Sequence, residues 1–296
     1  MTYKGIDVSR CQGTINWPAV AGIDFVLIKA GYGNDVSQKD ANFDVNVRGA
    51  LSRTLQVGAY WFGYAVSVPD AQKEADAFNQ ALSPYRGKLT FPVAYDYEYD
   101  SVRYFTQQMG RAPTNAEIDS FTQAFNDRMK SYGWFVNVYT NNDYYRSGKF
   151  TNSVKKYDVW LADYSGGPDY PCYIQQTGDS GSVPGISGSV DTDISFRDYP
   201  TIIKAGGYNG FPKPQNNYAC DTSGTIVITR GAAYQTLITY DGPLNVVAGT
   251  ADIVTVLHRY DEGNKHYYYI VPIGKPGQQA GIYINGGSRQ FIAAVK

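Results

Sequence analysis

The chain of 296 residues is 43% hydrophobic and 18% charged, which excludes disordered and fibrous proteins and allows one large barrel or a medium and a small domain. Its formal net charge of −1 and its lack of a basic run exclude the charge distribution typical of a nucleic-acid-binding protein. No apolar segment is long enough to span a bilayer, so we expect no membrane insertion.

Eight runs with strand-like patterns occur in the first 200 residues. They span residues 4–9, 25–31, 56–64, 91–99, 135–140, 158–164, 173–177 and 190–195. Helical patterns over 67–82 and 114–132 lie between early runs, and each begins with a possible capping box. Strands that alternate with helices predict an α/β fold with a parallel sheet, and eight of them predict closure into a (β/α) barrel. The gaps shorten after the fifth run, so we expect an irregular barrel that lacks some later helices.

The first 200 residues contain no histidine, because His258 and His266 both lie further along the chain. A Ser-His-Asp triad, a Cys-His pair and the common His-based zinc sites are therefore excluded from that region. Any acid or base there should be a carboxylate, with Tyr or Lys as weaker candidates. The three cysteines, Cys11, Cys172 and Cys220, have no metal-type spacing and are expected to be reduced thiols, although a Cys11–Cys172 disulfide stays open. We expect neither a metal nor a cofactor.

Acidic residues recur at the ends of predicted strands, where barrel enzymes place their chemistry. Asp7 lies late in the first strand, Asp96 and Glu98 end the fourth in "VAYDYEYD", and Asp191 and Asp193 lie in the eighth. In an extended strand the tyrosines between the acids of "VAYDYEYD" face the other side, toward the helices. Because the first and eighth strands of a barrel are neighbours, these carboxylates should surround one mouth. Their mutual repulsion should keep a proton on at least one of them near neutral pH, as a glycosidase requires.

The order of motifs resembles the lysozymes of glycoside hydrolase family 25, which are peptidoglycan muramidases. The resemblance covers most of residues 4–195. It rests on the segments "GIDVS", "FVLIKAGYG", "VGAYWFGYA", "AYDYEYD", "VNVYTN", "VWLADY" and "GSVDTDIS", in that order. It implies an enzyme that cleaves the β-1,4 bond between N-acetylmuramic acid and N-acetylglucosamine, with bacterial peptidoglycan as its partner.

The resemblance also implies roles for the acidic residues. Glu98 corresponds to the general acid and Asp96 to its charged partner, while Asp7 and Asp191 complete an acidic floor. Two residues along a strand lie roughly 6.6 Å apart, which decides neither a retaining nor an inverting outcome. The family favours retention, and a substrate-assisted route stays open, in which the 2-acetamido group attacks the anomeric carbon and Asp96 orients it.

Three aromatic residues match family positions that line the substrate cleft, with core packing as the competing interpretation: Tyr60, Tyr139 and Trp160. Trp61 stands where the family often has histidine. We interpret Asp193 as an orienting residue, and Asp100 and Asp163 as rim or loop-capping carboxylates.

A lectin and a chitinase are two alternative functions for such a barrel. A lectin on a glycosidase scaffold would be expected to have lost its acid, but Glu98 is present. A chitinase is disfavoured because Phe91 and Ala94 occupy two aspartate positions of the Asp-x-x-Asp-x-Asp-x-Glu pattern. An exposed strand with a solvated acidic face explains Asp96 and Glu98 alone, but not the recurrence of acids on other strands.

A segment rich in Gly, Pro and Asn predicts a linker over 204–218, between a catalytic barrel over 1–203 and a β-sandwich over 219–296. Next to a muramidase, a cell-wall-binding module is the natural hypothesis for the sandwich, since tethering raises the effective substrate concentration. A spacer or oligomerisation domain is the alternative, and the oligomeric state stays open. The three adjacent tyrosines over 267–269 must lie on both faces of a strand, so at least one should be buried.

The N-terminal segment "MTYKGIDVS" has neither a basic region nor an apolar one, so no secretion signal is predicted. The layout, a catalytic module followed by a small module, is similar to that of phage endolysins, which accumulate in the cytoplasm until a holin opens the membrane. A bacterial autolysin whose signal has been removed would have the same sequence features.

Overall fold

A computed structural model describes residues 2–212 and 217–296, and the contacts within it divide the chain into two units, 1–213 and 214–296. Eight strands of the first unit form a closed barrel in sequential order, which confirms the predicted architecture. The strands are β1 (Tyr3–Val8), β2 (Phe25–Tyr32), β3 (Gln56–Phe62), β4 (Val93–Asp96), β5 (Val136–Asn141), β6 (Asp158–Ala162), β7 (Ile174–Gly181) and β8 (Val190–Ser195).

The last strand of the barrel runs in the opposite direction to the others. Strands β1 to β7 pair in parallel, each with the next, whereas β8 pairs antiparallel with both β7 and β1. The prediction of a parallel sheet is therefore wrong for β8. A parallel connection needs a crossover of about a dozen residues or more, and the loop over 182–189 is too short for one. The amino end of β8 consequently lies at the same mouth as the carboxyl ends of the other strands.

Helices surround the early part of the barrel and shorten toward its end. They are α1 (Phe43–Ser52), α2 (Val68–Leu82), α3 (Tyr99–Met109), α4 (Asn115–Ser131), α5 (Asn142–Arg146), α6 (Ser153–Lys156) and α7 (Tyr199–Gly206). Both predicted helices are present as α2 and α4, capped by Ser67 and Thr114 as expected. Within residues 2–212, β6, β7 and β8 follow one another without a helix, as the shortened gaps predict. Among the described residues, no helix is long and apolar enough to cross a membrane.

Two of the tyrosines of "VAYDYEYD" are buried between the barrel and its helices. The ring of Tyr95 stacks on Phe125 of α4 with centroids 4.0 Å apart, and Tyr97 packs near Phe121 of the same helix. The prediction that these tyrosines face the helices is confirmed for Tyr95 and Tyr97. Tyr99, the first residue of α3, is 51% exposed and lies outside this packing.

The start of the predicted linker belongs to the barrel. α7 extends to Gly206, and the side chain of Asn209 is fully buried. Its Nδ2 donates to the carbonyls of Leu89 (2.9 Å) and Phe91 (3.0 Å), and its Oδ1 accepts from the backbone N–H of Phe135 at 2.8 Å. The linker prediction is wrong here because the Gly and Asn residues end a helix in left-handed conformations instead of forming a spacer. Residues 213–216 of that prediction lie outside the described residues.

The second unit consists of two four-stranded sheets, ordered β10-β16-β15-β12 and β13-β14-β11-β9. The strands are β9 (Ala219–Cys220), β10 (Gly224–Ile228), β11 (Tyr234–Thr239), β12 (Val246–Ala248), β13 (Val254–Glu262), β14 (Lys265–Pro272), β15 (Gln279–Ile284) and β16 (Arg289–Val295). Ile238 and Ile270 of one sheet and Ile282 and Phe291 of the other form a single buried core. The predicted all-β sandwich is confirmed. Tyr268 belongs to this core, as the triple tyrosine requires.

All three cysteines are free thiols, which confirms the expectation drawn from their odd number and spacing. Cys11 is exposed, and Cys172 and Cys220 are half-buried. The Cys11–Cys172 disulfide that the sequence left open is not formed.

Candidate active site

The acidic stretch at the end of β4 is a strand only as far as Asp96. Glu98 is the residue before α3, and its backbone N–H donates to Ser101 Oγ at 3.0 Å. The predicted strand over 91–99 is therefore wrong beyond Asp96, because Ser101 closes the first turn of a helix that the sequence analysis missed. Asp100 falls in that first turn, is exposed, and pairs with Arg103. Its interpretation as a rim carboxylate is confirmed.

Asp96 and Glu98 differ in their surroundings. Asp96 is 5% exposed, and its Oδ1 has no hydrogen-bond partner among the described residues, whereas Glu98 is half-buried. Burial, followed by the nearby Glu98 charge, raises the pKa of Asp96 well above its usual range. Burial also raises the pKa of Glu98, although Asp96 and Lys29 act in the opposite direction on it. The two carboxyls therefore hold a proton between them more firmly than free carboxylic acids would.

Asp7 and Asp191 meet across the strand pair that closes the barrel. They are directly opposite each other on β1 and β8, so the predicted proximity of the first and last strands does bring them together. Asp7 is 4% exposed and accepts a hydrogen bond from Gln176 Nε2 at 2.6 Å. Burial, then the charges of Asp193 and Asp191, raise the pKa of Asp7 well above its usual value. The pKa of Asp191 is also raised, by burial and by Asp179.

Burial is the largest cause of the raised pKa at each of these four carboxyls, and repulsion among them comes second or later. The sequence-based account, which rested on mutual repulsion, is corrected in this respect. Burial has the same consequence as the predicted repulsion, because in both cases protonated and ionised carboxyl groups can coexist at one mouth of the barrel near neutral pH. Such a set can give a proton to a leaving oxygen and stabilise a developing positive charge.

The aromatic candidates lie together inside the barrel. Tyr60 and Tyr139 contact Trp160 edge to face, with centroids 5.7 and 4.7 Å from it. Their exposed fractions are 9% for Tyr60, 7% for Tyr139 and 2% for Trp160, so little ring surface is open for stacking on a sugar. Trp160 Nε1 donates to Asp193 Oδ1 at 2.8 Å, and the orienting role of Asp193 stays a prediction. The three rings belong to one buried hydrophobic cluster of the barrel.

Two polar residues of the site were missed by the sequence analysis. Lys29 of β2 has its ammonium 4.5 Å from the centre of the Phe62 ring, and its charge lowers the pKa of both Asp96 and Glu98. Gln176 of β7 holds Asp7 through Nε2, while its Oε1 accepts from Tyr139 (3.1 Å) and Tyr164 (3.0 Å). A lysine inside the apolar run "FVLIKAGY" is unusual enough for the sequence to mark Lys29 as a candidate site residue. No sequence pattern indicates the contacts of Gln176.

Two hollows open near the carboxylates. The one that includes Glu98 has a volume of about 470 Å³ and is also lined by Tyr139 and Tyr164. A larger one, of about 620 Å³, lies on the other side of the α3 N-terminus and is lined by Tyr64 and Tyr104 among others. Glu98 lines the smaller hollow, and Asp100 lines the larger one.

Asp163 is tied into the loop after β6. It accepts hydrogen bonds from the N–H and Oγ of Ser165 and from the N–H of Asp169, at 3.0, 2.6 and 2.7 Å. Burial is the largest single influence and acts to raise its pKa, but the hydrogen bonds from Ser165, Asn142 and Asp169 together hold that pKa below its usual range. The interpretation of Asp163 as a loop-capping carboxylate is confirmed.

The chain is similar in sequence to two known lysozymes. The chain is 31% identical to an autolytic lysozyme of Clostridium acetobutylicum over 197 residues, which cover 64% of this chain and 55% of that protein. It is 28% identical to lysozyme M1 of Streptomyces globisporus over 201 residues, or 64% of this chain and 66% of that protein. The chain thus spans between half and two thirds of the length of these relatives.

The fold has a counterpart among solved structures. The bacterial lysozyme from Streptomyces coelicolor superposes with a TM-score of 0.57 at 24% identity, over 71% of this chain and 98% of that one. Residues 6–185 match the family model described as Glycosyl hydrolases family 25. That segment is more than half of the 296 residues and includes Asp7, Asp96 and Glu98. The chain therefore belongs to glycosyl hydrolase family 25.

Proposed function

We propose that the barrel is a muramidase, which cleaves the β-1,4 bond between N-acetylmuramic acid and N-acetylglucosamine in bacterial peptidoglycan. The observation that carries this proposal is the pair formed by Asp96 and Glu98. One carboxyl is buried at a strand end, and the other stands two residues later at the wall of a hollow large enough for sugars. The lysozymes among its relatives support the choice of substrate.

Glu98 is the proposed general acid. It is half-buried and lines the 470 Å³ hollow, and burial raises its pKa. The contact with Asp96 lowers the pKa of Glu98, while the Glu98 charge raises that of Asp96, so the proton that the two carboxyls share has to lie on Glu98 when the glycosidic oxygen leaves. Asp7 and Asp191 form the acidic floor on the opposite side of the barrel. Lys29 favours the ionised form of whichever carboxyl has given up its proton.

Asp96 is the proposed partner of the acid. Its Oδ1 is buried and receives no hydrogen bond from an N–H or hydroxyl group of the described residues, so a donor on a ligand can satisfy it when Glu98 keeps the proton that the two carboxyls share. The N–H of a 2-acetamido group is such a donor, and the contact would orient that group toward the anomeric carbon. This supports a retaining outcome by the substrate-assisted route.

Mass spectrometry of digested peptidoglycan tests the bond that is cleaved. New reducing ends at muramic acid are expected. New reducing ends at glucosamine would indicate a glucosaminidase, and binding without any new ends would indicate a lectin. The stereochemical proposal is tested separately by NMR of the first-formed anomer, which should have the β configuration of the substrate bond.

We propose that the second unit binds the cell wall through the outer face of the sheet β13-β14-β11-β9. Tyr260 and Tyr267 stack on this face with ring centroids 4.5 Å apart, and Arg259 lies over Tyr260 and Tyr269 at 5.1 and 4.8 Å. Aromatic faces of this kind suit sugar rings. The site of action would then be the bacterial wall, reached by holin-type release or by secretion.

A further inference from the structure

Both histidines of the chain converge on one carboxylate in the second unit. His258 Nε2 and His266 Nδ1 each lie 2.7 Å from Asp261 Oδ1. The three possible ligand atoms all lie within 4.8 Å of one another. None of these residues has a part in the proposed hydrolysis or in the tyrosine face proposed to bind the wall.

A β-bulge brings the three side chains to one face of the hairpin formed by β13 and β14. His258 pairs with Tyr268 and Asp261 pairs with His266, and the register shifts between His258 and Tyr260. In a regular strand, residues three apart point to opposite faces. The extra residue, Arg259, reverses this alternation, so that His258 and Asp261 lie on the same side. Bulges commonly redirect a side chain in this way at functional sites.

A backbone carbonyl fixes the orientation of one imidazole. His266 Nε2 lies 3.0 Å from the carbonyl oxygen of Tyr240. A carbonyl oxygen can only accept, so Nε2 carries the hydrogen and Nδ1 is the nitrogen that faces Asp261. A ring N–H bonded to a backbone carbonyl is the usual support of a histidine that binds a metal through its other nitrogen. The side chain of His266 is 16% exposed, whereas those of His258 and Asp261 are both 48% exposed.

We propose that His258, Asp261 and His266 bind one divalent cation of the zinc class. The donors would be His258 Nε2, a carboxylate oxygen of Asp261 and His266 Nδ1, with water in the remaining position. Two imidazoles and one carboxylate are a common donor set for Zn²⁺, and hard cations such as Mg²⁺ and Ca²⁺ prefer oxygen. Bond lengths of about 2.1 Å in a tetrahedron separate the donors by about 3.4 Å, which small rotations of these exposed side chains can reach.

The cation would join β13 to β14 beside their connecting turn. The expectation that the protein has no metal came from the cysteine spacing and from the lack of histidine in the first 200 residues, and neither observation concerns this hairpin. The sequence pattern His-x-x-Asp-x-x-x-x-His does not by itself predict a metal site, because His258 and Asp261 share a face of the strand only through the bulge.

The full chain with zinc chloride alone as the probe tests the proposal, after its thiols have been blocked by alkylation. Calorimetry should find one Zn²⁺ per chain, with no binding of Mg²⁺ or Ca²⁺. Because the chain has only two histidines, every imidazole resonance in a ¹⁵N-edited NMR spectrum comes from this site. Zinc should shift Nε2 of His258 and Nδ1 of His266 most.

Asp261→Asn and His258→Gln should each weaken zinc binding by at least about tenfold. Glu262→Gln is the matched control, since it removes the same charge one residue later from a carboxylate that accepts from the Tyr267 hydroxyl at 3.2 Å. It should bind zinc like the wild type. Absence of zinc binding, unchanged affinity in Asp261→Asn, or unshifted imidazole resonances would overturn the proposal and leave an ion pair. If a variant does not fold, the wild-type NMR titration decides.

Discussion

Glu98 stands apart from the other acids because it is both near a buried carboxyl and open to a hollow. Of the three acids in "VAYDYEYD", Asp96 is enclosed and Asp100 is solvated by its position in the first turn of α3. A proton donor has to keep its proton and reach the substrate, and Glu98 combines a pKa raised by burial with access to the 470 Å³ hollow.

The variant Glu98→Gln should lose wall lysis by roughly 10²–10⁴-fold, the usual contribution of a positioned proton donor. Turbidity of purified cell walls measures the loss, and the melting temperature should be close to that of the wild type. Asp76→Asn is the control, because Asp76 is an exposed carboxylate that pairs with Arg128 away from the barrel mouth. Substantial lysis by Glu98→Gln would remove Glu98 from the acid role.

Glu74 makes the stability of the barrel depend on pH. It is 1% exposed, and its carboxyl accepts from the Tyr95 hydroxyl at 2.5 Å and from the Tyr64 N–H at 2.6 Å. Burial raises its pKa from 4.5 to about 8. Its neutral form is therefore favoured in the folded protein. This stabilisation is complete below about pH 4.5 and is lost as the pH rises through 8.

Glu74→Gln should flatten the decline in melting temperature between pH 5 and pH 8, because glutamine cannot ionise. The difference between wild type and variant isolates Glu74 from the other buried carboxyls, which act in the same direction. The effect is on the order of a few kcal/mol across this range. Calorimetric scans at several pH values measure it, and parallel curves for the two proteins would contradict the assignment.

At the scale of elements, the N-terminus of α3 positions Glu98, the proposed acid. The Glu98 N–H bonds to Ser101 Oγ, and Ser101 is fully buried. This bond holds the turn between β4 and α3 and thereby the direction of the Glu98 side chain. Ser101 acts through Glu98 and does not itself face either hollow.

Ser101→Ala should lower kcat more than it changes KM, and should cost about 1 kcal/mol of stability. Ser67→Ala is the matched control, because it removes a comparable cap from α2, where Ser67 Oγ accepts from the Asp70 N–H at 3.2 Å. It should lose similar stability and keep kcat. Equal effects of both variants on kcat would show that stability alone, and not the position of Glu98, is responsible.

The sequence predicted elements where the signal is local. All eight barrel strands overlap their predicted runs, since buried strands are continuous apolar segments. The end of β4 was missed because a serine three residues after Glu98 is a weaker capping signal than Glu117, which lies three residues after Thr114 at the start of α4. The direction of β8 follows from a loop length that was visible in the sequence. Gln176 bonds to Asp7 and Asn209 bonds to Leu89, 169 and 120 positions away, and no local sequence pattern contains such contacts.

At the scale of the whole molecule, truncation tests the proposal that the barrel hydrolyses the cell wall and the second unit binds it. A chain ending at residue 212 retains α7 and Asn209, so it should fold and hydrolyse soluble wall fragments like the full chain. Its binding to intact cells should be weaker, as measured by co-sedimentation. Unchanged binding would contradict the proposed role of the second unit.

A chain ending at residue 203 is the informative comparison. It would lack Asn209, whose side chain satisfies two buried carbonyls and one N–H of the barrel, and we expect a clearly lower melting temperature. If binding to cells is lost in the 212-residue chain, Tyr260→Ser and Tyr267→Ser in the full chain should reproduce part of that loss. If both tyrosine variants bind cells as well as the wild type, the tyrosine face is not the cell-wall contact.

The antiparallel pairing of β8 with β1 has a consequence for synthesis. Tyr3 lies opposite Ser195 and Asp7 opposite Asp191, so the seam joins the first residues made with those made almost two hundred positions later. Contacts this distant in sequence form late, after the cost of closing the intervening loop has been met. Asp7 and Asp191 are therefore brought together in the same folding step that closes the barrel. A chain that ends before β8 therefore contains Glu98 but lacks the strand that completes the site.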